Sequence, residues 1–423
     1  MLASHRVHPI RAIARALTEM EIWPIAIGVM AGIVLERTLL VTLAVAAIWW
    51  VFRTLAYGFP SVRTPADWAI GLLGIMLLVT LWATVLPETT RPQVYRLVSG
   101  IALYYTIVNW TTTLPRLRLL IAGLLIGGTL LALVAPLTVN WSGGKLPFIP
   151  AAFYERFTLL VSDTINPNVM AGLLVLLLAV ALAMLMFGWA ELSWLARVLV
   201  GLAVLIMSGM LLITQSRGAL LGLVAAFLLL VLLRWRYGWV LPLVAAVIAL
   251  VAMHFLDRAV VFDLLTTNRT LGGLDVRLEI WSRAIYMIQD FPFTGIGMGS
   301  FKTITDLFYP LFMSVPDTIE HAHNLFLQIA VDLGLPGLIA WLSILLVVCA
   351  SSWQTYRYAS SIGNGWLAGA GAGLLCSQVA LVVHGMTDAV TWGMVRPAVL
   401  VWGLWGIAIA SWQICHPEVS SQS

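Results

Sequence analysis

The sequence predicts an all-α protein, a polytopic bundle of about twelve transmembrane helices with a helical loop on the outer face. Of its 423 residues, 61% are hydrophobic and only 10% are charged, and the mean hydropathy is +0.98. A soluble domain carries roughly 25% charged residues. Because a helix needs about 20 apolar residues to cross the hydrocarbon core, the chain has room for about ten to thirteen spans and little else.

Apolar runs separated by charged residues, proline or glycine are the candidate spans. Backbone groups in lipid need internal hydrogen bonds, which a helix supplies, so each run is predicted to be helical. The runs lie at 22–35, 38–56, 67–86, 94–112, 117–136, 167–188, 194–214, 218–233, 239–255, 323–350, 364–386 and 392–412.

The arginines in the short connections predict the orientation, because cytoplasmic loops are enriched in Lys and Arg. With the N-terminus inside, the cytoplasmic side collects Arg6, Arg11, Arg15, Arg53, Arg63, Arg116, Arg118, Arg197, Arg234, Arg236 and Arg357. An even number of spans then returns the C-terminus to the cytoplasm. The predicted organisation is a cytoplasmic segment 1–21, nine spans over 22–255 including an outer loop 137–166, a large outer loop 256–322, three spans over 323–412 and a cytoplasmic tail 413–423.

Charge and cysteine content exclude several other classes of protein. The net charge is +4 without long basic runs, so no nucleic-acid partner is expected. Three cysteines in or beside apolar runs indicate neither a disulfide framework nor a metal site. The sequence shows no sign of a cofactor. The segment up to Glu21 could lie as an amphipathic helix on an anionic leaflet or remain a solvated tail.

Arg217 stands at the predicted outer start of a span. The N-terminus of a helix and a guanidinium group both favour the oxygens of an anion such as phosphate. The alternative is an arginine that reaches the interface, where it binds lipid headgroups or pairs with an acidic residue.

The outer loop contains a second candidate arginine. Residues 275–284 predict a short amphipathic helix in which Arg277 and Trp281 share one face, with Arg283 further along. Arg277 is a candidate for anion binding, and a structural salt bridge is the alternative. The glycine-rich turn 291–299 is not interpreted as a dinucleotide loop, because no strand precedes it and no helix clearly follows.

Two histidines, His321 and His323, lie at the outer mouth of the tenth span. A neutral histidine can take a proton from a sugar hydroxyl, because its pKa lies near working pH. Glu320 or a backbone group is expected to orient it. Histidines two positions apart on a helix are poorly placed to share one metal ion. A structural histidine at the start of a helix is the alternative.

Weaker candidates lie at two other predicted outer ends. Asn168 follows Asn166 and Pro167, a pattern that predicts a helix cap first and a substrate contact second. His384 and Asp388 are polar groups near the end of a span and therefore suspect. A helix-packing pair explains them equally well, so they stand outside the predicted catalytic set.

Four stretches in this order resemble the O-antigen ligase and polymerase superfamily of bacterial membrane glycosyltransferases. The resemblance covers mainly residues 160–345. The stretches are Asn166–Gly172, Ser216–Leu220, the run from Arg277 to Trp281 continuing through Gly295–Phe301, and His323–Gly337.

The resemblance implies a GT-C-like membrane glycosyltransferase in a bacterial inner membrane. Its donor would be an undecaprenyl-diphosphate-linked glycan, transferred on the periplasmic face without nucleotide or metal. The family pattern implies that Arg217 and Arg277 stabilise the diphosphate and that His323 is the base, with His321 a second candidate for the base. Weaker candidates for substrate binding are His321, Trp281, Arg283 and Asn168.

The resemblance does not separate two acceptors. A ligase would use lipid A-core and a polymerase would use another lipid-linked glycan; the compact loop and the paired arginines slightly favour the ligase. A transporter or flippase of lipid-linked saccharides is the alternative of a different class. Carriers usually place their charged groups near the bilayer midplane, whereas the candidates here lie at predicted helix ends.

Overall fold

The computed structural model describes residues 9–141, 149, 151–157, 159, 164–255, 274–312 and 319–417. Within these residues the chain forms fifteen α-helices and no β-strand. The helices are α1 (Pro9–Thr18), α2 (Ile22–Val34), α3 (Thr38–Tyr57), α4 (Asp67–Ala83), α5 (Pro87–Trp110), α6 (Leu114–Thr138), α7 (Pro167–Phe187), α8 (Trp194–Ile213), α9 (Arg217–Arg234), α10 (Val240–Phe255), α11 (Leu274–Asp290), α12 (Phe301–Phe308), α13 (Leu325–Ser361), α14 (Gly365–Gly385) and α15 (Val399–Cys415).

The prediction of a polytopic all-α protein is confirmed. Each of the twelve apolar runs overlaps a helix, namely α2–α10 and α13–α15. In the described part of the chain, eight helices are long and apolar enough to cross a membrane, and the bent pair α1 and α2 raises the number to nine. Helices α4 and α10 have 17 and 16 residues, and α5 begins with polar and charged residues. These three therefore fall short of the requirements for an independent span.

Four of the helices, α5, α7, α14 and α15, form the interior of the bundle. Most residues of α7, α14 and α15 are buried, whereas α3, α6, α8 and α9 leave most of their surface exposed. The exposed side chains of the outer helices are largely Leu, Val and Ile, as lipid-facing surfaces require. Gly222 of α9 packs against α14, where an added Cβ would lie 3.0 Å from the carbonyl oxygen of Ala380. Small residues of this kind let two helices approach closely.

A glycine turn joins α11 to α12 and packs into a break in α13. Gly295, Gly297 and Gly299 have φ values of +66°, +94° and +75°, which a side chain would disfavour. α13 is itself kinked at Gly334, with φ of +72°. Backbone hydrogen bonds cross the junction, since Ile296 N donates to Val331 O at 2.8 Å and the Leu335 amide bonds to the turn. The turn therefore fixes the end of α11 against α13. A helix does follow it, contrary to the sequence-based expectation.

The predicted outer loops are described in part. Residues 256–273 and 313–318 of the loop 256–322 lie outside the described residues, as do 1–8 and 418–423 at the termini and most of 142–163. The last span differs from its prediction, because α15 begins at Val399 rather than at 392. Residues 386–398 instead form a segment of turns between α14 and α15. This segment carries the centre of the candidate site.

Candidate active site

The carboxylate of Asp388, just beyond the end of α14, lies at the centre of a buried polar cluster. Its side chain is only 4% exposed. Oδ2 accepts a hydrogen bond from Asn168 Nδ2 at 2.8 Å, and Oδ1 accepts one from the Ala389 amide at 2.8 Å. Oδ1 also lies 3.6 Å from His323 Nδ1 and 3.8 Å from His321 Nε2. A buried carboxylate needs such partners, because its desolvation is costly.

The two histidines lie in front of α13 rather than on it. The helix begins at Leu325, and Asn324 caps it by accepting hydrogen bonds from Phe326 N and Leu327 N. Asn324 Nδ2 also donates to the Met386 carbonyl at 3.1 Å, which ties the cap to the Asp388 segment. His323 has a φ of +47°, an uncommon conformation for a residue with a side chain. This turn brings the rings of His321 and His323 within 4.1 Å of each other.

A backbone contact determines which nitrogen of His321 carries the proton. The His323 amide donates to His321 Nδ1 at 3.1 Å, so the proton of a neutral ring sits on Nε2, which faces Asp388. Burial, with the charges of His323 and Arg277, lowers the pKa of His321 to about 3. Burial alone would raise the pKa of Asp388, but the close polar contact with His323 and the charges of the surrounding histidines hold it well below its usual range. At neutral pH, Asp388 is therefore ionised and His321 is neutral.

The same three residues, His321, His323 and Asp388, offer ligand-type atoms that lie within 4.8 Å of one another. The sequence-based argument against a shared metal assumed a helix, and that assumption is wrong. The tautomer of His321 supplies a different argument, because a nitrogen that carries a proton cannot coordinate a metal ion. The arrangement fits proton transfer better than metal binding.

Two arginines adjoin the Asp388 segment. Arg277 Nη1 donates to the Thr387 carbonyl at 2.6 Å. Arg217 is exposed at the first turn of α9, and Gly218 beside it packs so closely that a Cβ there would collide with Thr387 Oγ1. Burial lowers the pKa of Arg277, Asp388 raises it, and the charge of Arg217 lowers it. The two positive charges therefore lie close enough to influence each other at the edge of the cluster.

The structure places the remaining predicted site residues, Asn168, Trp281 and Arg283, in different surroundings. Asn168 belongs to the cluster, and Asn166 caps α7 by accepting from Asn168 N, as the sequence predicts. Trp281 lies on α11 one turn from Arg277. Arg283 is directed elsewhere: it donates to the Pro310 carbonyl at 3.0 Å, and among the described residues its other contacts also lie within the outer segment, with Glu279, Tyr286 and Phe312.

Two members of the cluster were left outside the sequence-based catalytic set. Asp388 lies beside both histidines, whereas Glu320, which was expected with a backbone group as the alternative partner, is exposed. His384 is buried between Gly172 and Gly218, and its Nε2 has no hydrogen-bond partner among the described residues. The signal in the sequence was the spacing of four between these two polar residues near the end of an apolar run.

The comparison with known families indicates the class of protein. Residues 202–342 match the family model described as O-antigen ligase. The matched region is about a third of the chain. The resemblance seen in the sequence is thereby confirmed, and it indicates a membrane enzyme of glycosyl transfer or ligation with a lipid-linked glycan donor and a glycan acceptor. No curated protein matches the chain.

The matched region, 202–342, contains only part of the cluster. It includes Arg217, Arg277 and both histidines, whereas Asn168 precedes it and Asp388 follows it. The polar cluster is thus assembled from the matched region and from helix ends on either side of it.

Proposed function

We propose that this protein transfers a glycan from undecaprenyl diphosphate to an acceptor hydroxyl, with O-antigen ligation to lipid A-core as the favoured reaction. The observation that carries the proposal is the pair formed by Asp388 and His323, whose Oδ1 and Nδ1 atoms lie 3.6 Å apart. Two arginines adjoin this pair. Glycosyl transfer from a lipid diphosphate requires a base to activate the acceptor hydroxyl. It also requires fixed positive charges to stabilise the diphosphate that leaves.

His323 is the proposed base. The carboxylate of Asp388 faces Nδ1 and favours the tautomer that carries its proton there, which leaves the lone pair of Nε2 to take the proton of the acceptor hydroxyl. The hydroxyl oxygen attacks the anomeric carbon as the bond from that carbon to the diphosphate oxygen breaks. The bonding electrons leave with the diphosphate, and the configuration at the anomeric carbon inverts. The acceptor proton ends on His323.

The arginines are proposed to stabilise the leaving group. Negative charge accumulates on the diphosphate as the bond breaks, and fixed guanidinium groups lower the energy of that state. Arg277 is held by the Thr387 carbonyl before any substrate arrives. Arg217 adds the charge of its own side chain to the N-terminus of α9. Leu221 and Val224 on the same helix are more than half exposed, so the polyprenyl tail can lie in lipid beside it.

The positions along the helices support an enzyme rather than a carrier. Asn168 is the second residue of α7 and Arg217 the first of α9, while His323 precedes α13 and Asp388 follows α14. All four lie at the helix ends that the arginine pattern assigns to the outside. A carrier usually holds its charged groups near the midplane. We therefore propose a periplasmic site in the bacterial inner membrane, with both termini in the cytoplasm and the organisation derived from the sequence.

A reconstituted reaction tests the proposal. Purified protein in vesicles is given a labelled undecaprenyl-diphosphate glycan together with lipid A-core, with and without EDTA, and His323→Ala is the control. Label on lipid A-core supports ligation, and an unchanged rate in EDTA supports a metal-independent reaction. Lengthened polyprenyl-linked chains would identify a polymerase on the same donor. Movement of intact donor between leaflets without cleavage would contradict glycosyl transfer.

A further inference from the structure

The turn that leads into Arg217 is tied to the first outer segment by one tyrosine. Tyr154 lies in a short 3-10 helix, Ala151–Arg156, and its side chain is buried. Its hydroxyl donates to the Ile213 carbonyl at 2.7 Å and accepts a hydrogen bond from Gln215 Nε2 at 2.5 Å. Ile213 is the last residue of α8 and Gln215 lies in the connection to α9, so one side chain from a distant segment contacts both sides of the turn.

Gln215 has a backbone conformation that needs support. Its φ is +53°, in the left-handed region that residues with a side chain rarely adopt. Its side chain is fully buried. Such conformations persist when the surroundings hold them, and they are concentrated at functional sites. Arg217 follows two residues later as the first residue of α9, so the turn at Gln215 sets the direction in which Arg217 leaves the backbone.

Tyr154 is itself held in place. Its ring stacks on Trp141 with centroids 5.8 Å apart, and Trp141 also contacts Phe157. The base of the outer segment is closed by backbone hydrogen bonds, from Ile165 N to Thr138 O at 2.8 Å and from Asn140 N to Ile165 O at 3.1 Å. The tyrosine hydroxyl is therefore presented from a packed aromatic cluster rather than from a loose loop.

We infer that Tyr154 is a positioning residue, which holds Gln215 in its left-handed turn and thereby orients Arg217 toward a diphosphate. The inference rests on the proposed function, because it assigns to Arg217 the binding of that anion. It gives Tyr154, which precedes the matched region 202–342, a role in the affinity for the donor.

Binding of undecaprenyl diphosphate to the full chain in nanodiscs tests this inference separately from turnover. Tyr154→Phe keeps the aromatic ring and removes the hydroxyl. We expect it to weaken binding about tenfold, which corresponds to about 1.4 kcal/mol. The double variant Tyr154→Phe, Arg217→Ala should bind no more weakly than Arg217→Ala alone, because effects that act through one residue are not additive.

Two further variants keep the experiment decisive. Gln215→Leu removes the other partner of the hydrogen bond and should weaken binding to a similar extent, without adding to Tyr154→Phe. Tyr309→Phe is the matched control, because it removes a tyrosine hydroxyl that donates to Asp290 in the other outer loop, 256–322. Its affinity should equal that of the wild type.

Two outcomes would overturn the inference, and a third would overturn the proposed function. An unchanged affinity in Tyr154→Phe would overturn it, and so would an equal loss in both Arg217 backgrounds, since the tyrosine would then act on the whole fold. A wild-type protein that fails to bind the lipid diphosphate would instead overturn the proposed function on which the inference rests.

Discussion

His323 Nδ1 lies 3.6 Å from Asp388 Oδ1, although the two residues come from opposite ends of two consecutive membrane helices. α13 runs away from His323, and α14 returns to Asp388. Antiparallel packing of the two helices thus places an imidazole beside a carboxylate. The predictions below follow from this pair and from the charges around it.

Replacing Asp388 with Asn should lower the rate of transfer by about 10²- to 10⁴-fold, because a neutral amide no longer fixes the proton on His323 Nδ1. Asn nearly preserves the shape of the side chain and can still meet Asn168 and the Ala389 amide. The kcat of the purified variant in vesicles measures the effect, and its thermal unfolding shows whether the fold is retained. A kcat equal to that of the wild type would remove Asp388 from the mechanism.

His323→Ala should abolish transfer, whereas His321→Ala should retain measurable activity. The reason is that His321 accepts a hydrogen bond from the backbone through Nδ1 and directs a proton rather than a lone pair at Asp388. Rates of label transfer at equal protein amounts distinguish the two variants. His416→Ala is the control, since this residue stacks on Trp412 at the far end of α15. Greater loss in His321→Ala would exchange the proposed roles.

Arg277→Ala should lower kcat by about 10²- to 10³-fold, the usual cost of removing one fixed group that stabilises developing charge. Arg277→Lys should recover only part of this loss, because an ammonium group does not reproduce the geometry of a guanidinium fork. Arg91→Ala is the matched control, as Arg91 is exposed and pairs with Glu88. Full activity in Arg277→Ala would show that the residue only anchors α11 to Thr387.

Acid should destabilise the folded protein between pH 6.5 and pH 3, partly through His321. Its pKa falls from an ordinary value of 6.5 to about 3 in the folded state, so in this range the unfolded chain binds a proton that the folded chain does not. Stability therefore rises with pH across this range. The lowered pKa of Asp388 acts in the same direction at the acidic end.

The pH dependence can be assigned by comparing two proteins. The thermal midpoint of the wild type should fall as pH is lowered from 7 to 5, and that of His321→Asn should fall less steeply. Scanning calorimetry or fluorescence in detergent at several pH values measures both slopes. Identical slopes would show that another group carries the acid sensitivity.

The helices were predictable because hydropathy along the chain reports directly on burial in lipid. Each apolar run overlaps a helix. Local sequence patterns also predicted the cap at Asn166 and the helix that carries Arg277. The number of independent spans was harder to predict, because α5 carries polar residues at its start and depends on its neighbours for burial.

The pairing of His323 with Asp388 was not predictable, because it depends on how distant helix ends pack. Position alone also assigned Arg283 to the substrate, whereas its spacing of four from Glu279 indicated the ion pair that the structure contains. No local pattern connects Tyr154 with Gln215, which meet only through tertiary packing.

The position of Asp388 after residue 342 bears on attempts to exchange this protein's specificity with that of a relative. A graft limited to the matched region would carry both arginines and both imidazoles into the recipient but would leave Asp388 and its partner Asn168 behind in the parent protein. Such a chimera would depend on whatever side chain the recipient presents to His323. Swaps that move Asn168, the matched region and the turn after α14 together take the proposed base and its carboxylate partner from the same parent.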